Sequence, residues 1–72
     1  MPSPASVRPE AMLRALERAG FVRVRQRGSH LRMRRGNLSV TVPVHPGELP
    51  PTVVRSILRQ AQMSWDELAE LL

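Results

Sequence analysis

The stretch that most narrows what this chain can fold into runs from Arg23 to Arg35. It holds six arginines, one of the chain's two histidines and no acid. Charged and apolar residues alternate on both sides of Gly28-Ser29, the period-2 signature of half-buried strands. Gly-Ser between two such runs reads as a two-residue hairpin turn, with Gly28 supplying the positive φ of a type II′ turn. That turn sets Val24 opposite Met33 and Gln26 opposite Leu31 on one side of the sheet. On the other side Arg25 faces Arg32 and Arg27 faces His30. A second tight turn, Gly36-Asn37, places Leu31 against Val42 and Met33 against Val40. Its polar face pairs Arg34 with Ser39, Arg32 with Thr41 and His30 with Pro43. The two turns agree on which side of the middle strand is buried, and agreement between separate signals is stronger than either alone.

The flanking segments read as helices. Pro9 and Glu10 suit a helix start near Arg8, and Met12, Leu13, Leu16 and Ala19 follow at helical spacing. Gly20 is placed to stop this helix, with the Phe21 ring folding back on its end. The third strand, near 38–43, ends at Pro43, which cannot continue a central ladder. A proline-rich loop containing His45 leads to a second helix from about Pro51-Thr52, with Val54, Ile57, Leu58 and Ala61 as its buried stripe. Ser64-Trp65-Asp66-Glu67 has the spacing of a capping box and opens a short last helix. The expected architecture is α+β: one domain over residues 1–72, order α-β-β-β-α plus a short C-terminal helix. Its three-stranded antiparallel sheet is covered by helices on one face. Residues 1–6, with two prolines and two serines, are expected to be a loose tail.

Composition limits the function. The 72 residues carry no cysteine, which removes disulfides and thiolate metal sites. No apolar run approaches a membrane span, and the N-terminus lacks the pattern of a secretory signal, so a cytoplasmic protein is expected. The net charge of +5 is uneven. Residues 1–47 hold nine arginines against Glu10 and Glu17, whereas residues 48–72 hold Arg55 and Arg59 against four acids. A basic body suggests a nucleic-acid face. Phe21 and Trp65 are the only aromatics, too few for a base-stacking platform. The uncovered sheet face would carry the arginines, Ser39, Thr41 and His30. A charged strand face is most often merely solvated. Two arginines directly opposite each other are destabilising, however, and a polyanion lying across them would remove that penalty. No glycine-rich phosphate loop or metal-ligand cluster is present, and no metal or cofactor is expected.

Three segments carry a resemblance: RALERAGFVRVRQRGSHLRM at 14–33, VTVPVHPGEL at 40–49 and VVRSILRQA at 53–61. Over about residues 9–64 the chain resembles the HicA family of bacterial toxin ribonucleases. That family's pattern is a helix ending in Ala-Gly-Phe, then Arg-Gln-x-Gly-Ser-His, Val-Pro-x-His and a helix of the form Ile-Leu-x-Gln-Ala. The chain departs from it at Pro51, where the family has Gly, and at Gln62, where a Gly often ends the helix. The resemblance implies a fold like a double-stranded-RNA-binding domain, metal-independent cleavage of mRNA and neutralisation by a HicB-like antitoxin protein. It implies that His30, the histidine of Gly-Ser-His, is catalytic. His45 is either a second proton-transfer group or a loop residue at the strand end. Arg23, Arg25, Arg27, Ser29, Arg32, Arg34 and Arg35 are the expected RNA contacts, with Gly28 shaping the turn that presents His30. The competing reading is a non-catalytic RNA- or DNA-binding module using the same face.

Overall fold

In a computed structural model, residues 4–72 are described; Met1–Ser3 of the expected tail lie outside the described residues. The element order is α1 (Pro9–Arg18), β1 (Val22–Arg27), β2 (His30–Arg35), β3 (Leu38–Pro43), α2 (Pro51–Ala61) and α3 (Trp65–Leu71). The strands form one antiparallel sheet in the order β1-β2-β3. α1 and α2 pack on β3, and α3 packs on both helices. This is the expected α+β arrangement.

Local chemistry sets the boundaries. Pro9 begins α1 and Glu10 lies in its first turn, where a negative charge meets the helix dipole favourably. Gly20, at φ +100°, ends it. The Phe21 N–H donates to the Leu16 carbonyl and the Gly20 N–H to the Glu17 carbonyl, each at 3.0 Å. This double bond pattern is a Schellman stop, and it buries the Phe21 ring. Gly28 and Gly36 have φ of +58° and +59°, while Ser29 and Asn37 keep negative φ, so both hairpins turn in two residues. α2 ends with the same bond pattern but without glycine: Gln62 holds the left-handed position at φ 55°, its N–H donates to the Arg59 carbonyl at 3.2 Å, and the Met63 N–H donates to the Leu58 carbonyl at 3.0 Å. At α3 the capping box forms. Ser64 Oγ accepts from the Glu67 N–H at 3.1 Å, and Glu67 Oε1 accepts from the Ser64 N–H at 2.8 Å. The Ser64 N–H first, and the Ser64 hydroxyl after it, hold the Glu67 carboxyl below its ordinary range.

The core lies between the helices and the inner face of β2 and β3. Leu31, Met33, Val40 and Val42 meet Met12, Leu13 and Leu16 of α1, Val54, Ile57 and Leu58 of α2, and Leu68 of α3. Burying each such side chain is worth roughly 1.5–3 kcal/mol. Val7 and Leu49, both buried, close the bottom of the domain through paired backbone bonds of 3.2 and 2.7 Å. No helix among the described residues is long and apolar enough to cross a membrane.

The β2–β3 register is the one expected, from His30 opposite Pro43 to Arg35 opposite Leu38. The β1–β2 register is as expected only next to the turn: Arg27 faces His30, Gln26 faces Leu31 and Arg25 faces Arg32. Beyond that a β-bulge intervenes, and Met33 is met by Arg23 instead of Val24. Val24 is the extra residue, 52% exposed, and does not join the core. The slip moves every earlier side chain to the opposite face. Val22 comes to the open face beside Arg34, and Arg23 to the helix side. There Arg23 Nε lies 3.2 Å from Glu17 Oε2 of α1. No helix packs over β1, and all six of its residues are exposed.

Candidate nucleic-acid interface

Arg25, Arg27, His30, Arg32 and Thr41 line a shallow cleft of about 440 Å³ on the open face of the sheet. Strand alternation places them: Arg25 and Arg27 come from β1, His30 and Arg32 from β2, and Thr41 from β3. Arg25 lies directly opposite Arg32, Arg27 opposite His30, and Arg32 opposite Thr41. No carboxylate lines the cleft. The ion pairs among the described residues, Glu10–Arg14 and Glu17–Arg23, lie away from it. Three guanidinium groups on one concave face, unneutralised and wet, attract a polyanion and hold phosphate oxygens in bidentate fashion.

The backbone around His30 is fixed from two sides. Gly28 sets the turn, and the Ser29 carbonyl accepts the Val44 N–H at 2.6 Å. That bond ties the start of the β3–α2 loop to the hairpin tip. It brings the backbone of His45 to the same end of the sheet as His30. The His45 ring itself is exposed, with Nδ1 3.1 Å from Pro46 O, and it does not line the cleft. Thr41 is held from behind: Gln60 Oε1 of α2 accepts its N–H at 2.9 Å, and Gln60 Nε2 donates to Ser56 Oγ at 3.2 Å.

The remaining expected contacts are dispersed. Arg34 stays on the open face outside the cleft, and its Nη2 reaches the Gly36 carbonyl at 3.4 Å. Arg23 is drawn to Glu17 by the bulge. Arg35 shares the parity of Met33, so it points to the helix side. Its guanidinium carbon lies 4.8 Å from the centre of the Phe21 ring, and Nη1 donates to the Ala19 carbonyl at 2.7 Å. Arg35 therefore closes the end of α1. Thr41 was expected on the open face but not as part of the site. Its pairing with Arg32 was the available signal. Gln60 had none, because its bond to β3 depends on how α2 packs.

A family model described as the HicA toxin of bacterial toxin–antitoxin systems matches residues 10–63. The chain belongs to the HicA toxin family. The matched span runs from the first turn of α1 past the end of α2 and includes every cleft residue. This family assignment makes the chain a toxin that acts with a toxin–antitoxin partner. No curated protein matches the chain.

Proposed function

We propose that this HicA-family chain is an endoribonuclease that cleaves mRNA in the cytoplasm without a metal ion and is silenced by a HicB-like antitoxin. One observation carries the reading: an imidazole set directly across from one arginine, in an acid-free cleft with two more. Cleavage needs the RNA 2′-hydroxyl to lose its proton and attack the adjacent phosphorus. The O2′–P bond forms, the P–O5′ bond breaks, and the 5′-oxygen takes up a proton. The products are a 2′,3′-cyclic phosphate and a 5′-hydroxyl. A histidine serves as acid or base near neutral pH, and His30 fills that role here. Arg27 is placed to balance charge on the phosphorane, while Arg25, Arg32 and Arg34 hold the backbone. With few aromatics and no amide side chain in the cleft, the backbone contacts outweigh base contacts.

The test is incubation of purified protein with single-stranded RNA in excess EDTA, beside the His30→Ala and His45→Ala variants. Wild-type cleavage leaving 2′,3′-cyclic ends, lost in His30→Ala and largely kept in His45→Ala, is the expected result. An equal loss in both variants would make His45 the second proton-transfer group, delivered by its loop. Salt-sensitive RNA retention without cleavage would replace this reading with that of a binding module.

A further inference from the structure

The two edges of the sheet differ. On β3 the outward N–H of Thr41 is taken by Gln60, and Pro43, of the same parity, has no N–H, which leaves Ser39 as the remaining outward donor of that strand. On β1 no hydrogen bond among the described residues reaches the outward backbone groups. An edge strand aims every second N–H and C=O away from its sheet, and such an edge is a template for another strand. Val22 and Val24, 60% and 52% exposed, are two of the three large apolar side chains left in solvent among the described residues, and both lie on this strand.

We propose that the free edge of β1 accepts an extended acidic segment of a partner protein as a fourth strand. The charges select the occupant. β1 carries Arg23, Arg25 and Arg27 in six residues. A second copy of the chain, pairing β1 with β1, would set arginine against arginine, which is destabilising. A segment alternating acidic and apolar residues meets no such penalty. Its carboxylates fall on the open face beside Arg25 and Arg27, and its apolar side chains fall beside Val24. RNA can reach the same guanidinium groups but cannot extend the backbone ladder. Carboxylates on the added strand occupy two of the three cleft arginines, so docking blocks phosphate entry. That consequence rests on the RNA reading above; the docking itself does not.

The probe is a blocked, fluorescently labelled octapeptide of alternating valine and glutamate. Its affinity is read by anisotropy, and its position by amide hydrogen exchange of the intact protein. Binding that slows exchange of the outward β1 amides is expected. The same composition with a central proline should bind about tenfold more weakly, the loss of one or two main-chain bonds. An alternating valine–lysine peptide should not bind. The double variant Val22→Asp, Val24→Asp leaves the cleft lining intact, and it should lose the peptide while melting as a folded protein. Equal binding of the proline peptide, protection elsewhere on the surface, no binding at all, or the same β1 protection by single-stranded RNA would each overturn the proposal. None of these readouts involves cleavage, so this docking and the ribonuclease reading fail separately.

Discussion

Arg35 and Arg32 lie three residues apart on β2 but do different work in the fold, and replacing each by alanine separates the two roles. Arg35 stacks on Phe21 and bonds the Ala19 carbonyl at the end of α1. A partly exposed cation–π contact contributes about 0.5–1 kcal/mol. A cation at a helix C-terminus adds about 0.3–1 kcal/mol. Arg35→Ala should therefore cost about 1–2 kcal/mol. In a domain this small each kcal/mol moves Tm by roughly 4–8 °C, so a fall of about 5–15 °C is expected. Its effect on the salt dependence of RNA binding should be negligible, because the guanidinium faces the helices. Arg32 lies in the cleft with no acid partner. Arg32→Ala should leave stability within about 0.5 kcal/mol. It should also lower the slope of log K against log salt by about 0.7, the share of one phosphate contact on a single strand. Thermal melts by circular dichroism and RNA titrations at several salt concentrations decide it. A normal Tm with a reduced slope in Arg35→Ala would refute the placement of that side chain.

Two further expectations concern helix ends. Gln62→Gly should stabilise by about 0.5–1 kcal/mol, seen as a higher urea midpoint, since a left-handed L residue costs roughly 1–2 kcal/mol and glycine returns part of that as chain entropy; an unchanged or lower midpoint would count against strain at Gln62. The Glu67 carboxyl is held below its ordinary value of 4.5, so its cap is fully present above that value and is lost as pH falls through the lower folded one. Protection factors of the α3 amides, which remove the pH dependence of intrinsic exchange, should fall as pH drops below 4.5, and Glu67→Gln should flatten that fall; a fall of equal size in the variant would assign it to another group.

The parts of the fold that were legible in the letters are those written in local chemistry. Two glycines at positive φ set two tight turns, and the turns set the whole β2–β3 ladder. Ser64 and Glu67 announced their capping box, and Gly20-Phe21 announced the stop of α1. What was not legible depends on contacts far along the chain. The Val-Arg-Val-Arg alternation of residues 22–25 runs unbroken through Val24, yet the ladder slips there. The stop at Phe21 and the Arg23–Glu17 pair fix where β1 begins, and neither is visible in a period-2 pattern. Val24 was expected in the core because strand parity reports a face and not whether a helix covers it. Arg35 is the opposite case. Its parity with Leu31 and Met33 already pointed away from the arginine face, but a run of arginines masks one that turns inward. The positions of Gln60 and of the His45 ring depend on helix packing and loop geometry, for which the sequence holds no signal.

The Gln60 amide on Thr41 has a consequence for stoichiometry. A sheet open along both sides can polymerise, each molecule adding to the last, whereas a sheet with two of the three outward donors of one edge removed favours a valency of one. Any strand that joins this domain ends the assembly it begins. Crowding the protein to high concentration should yield pairs at most, with no fibre. Replacing Gln60 would return the Thr41 N–H to that edge and weaken the bias against chain growth, while Pro43 would still withhold one donor.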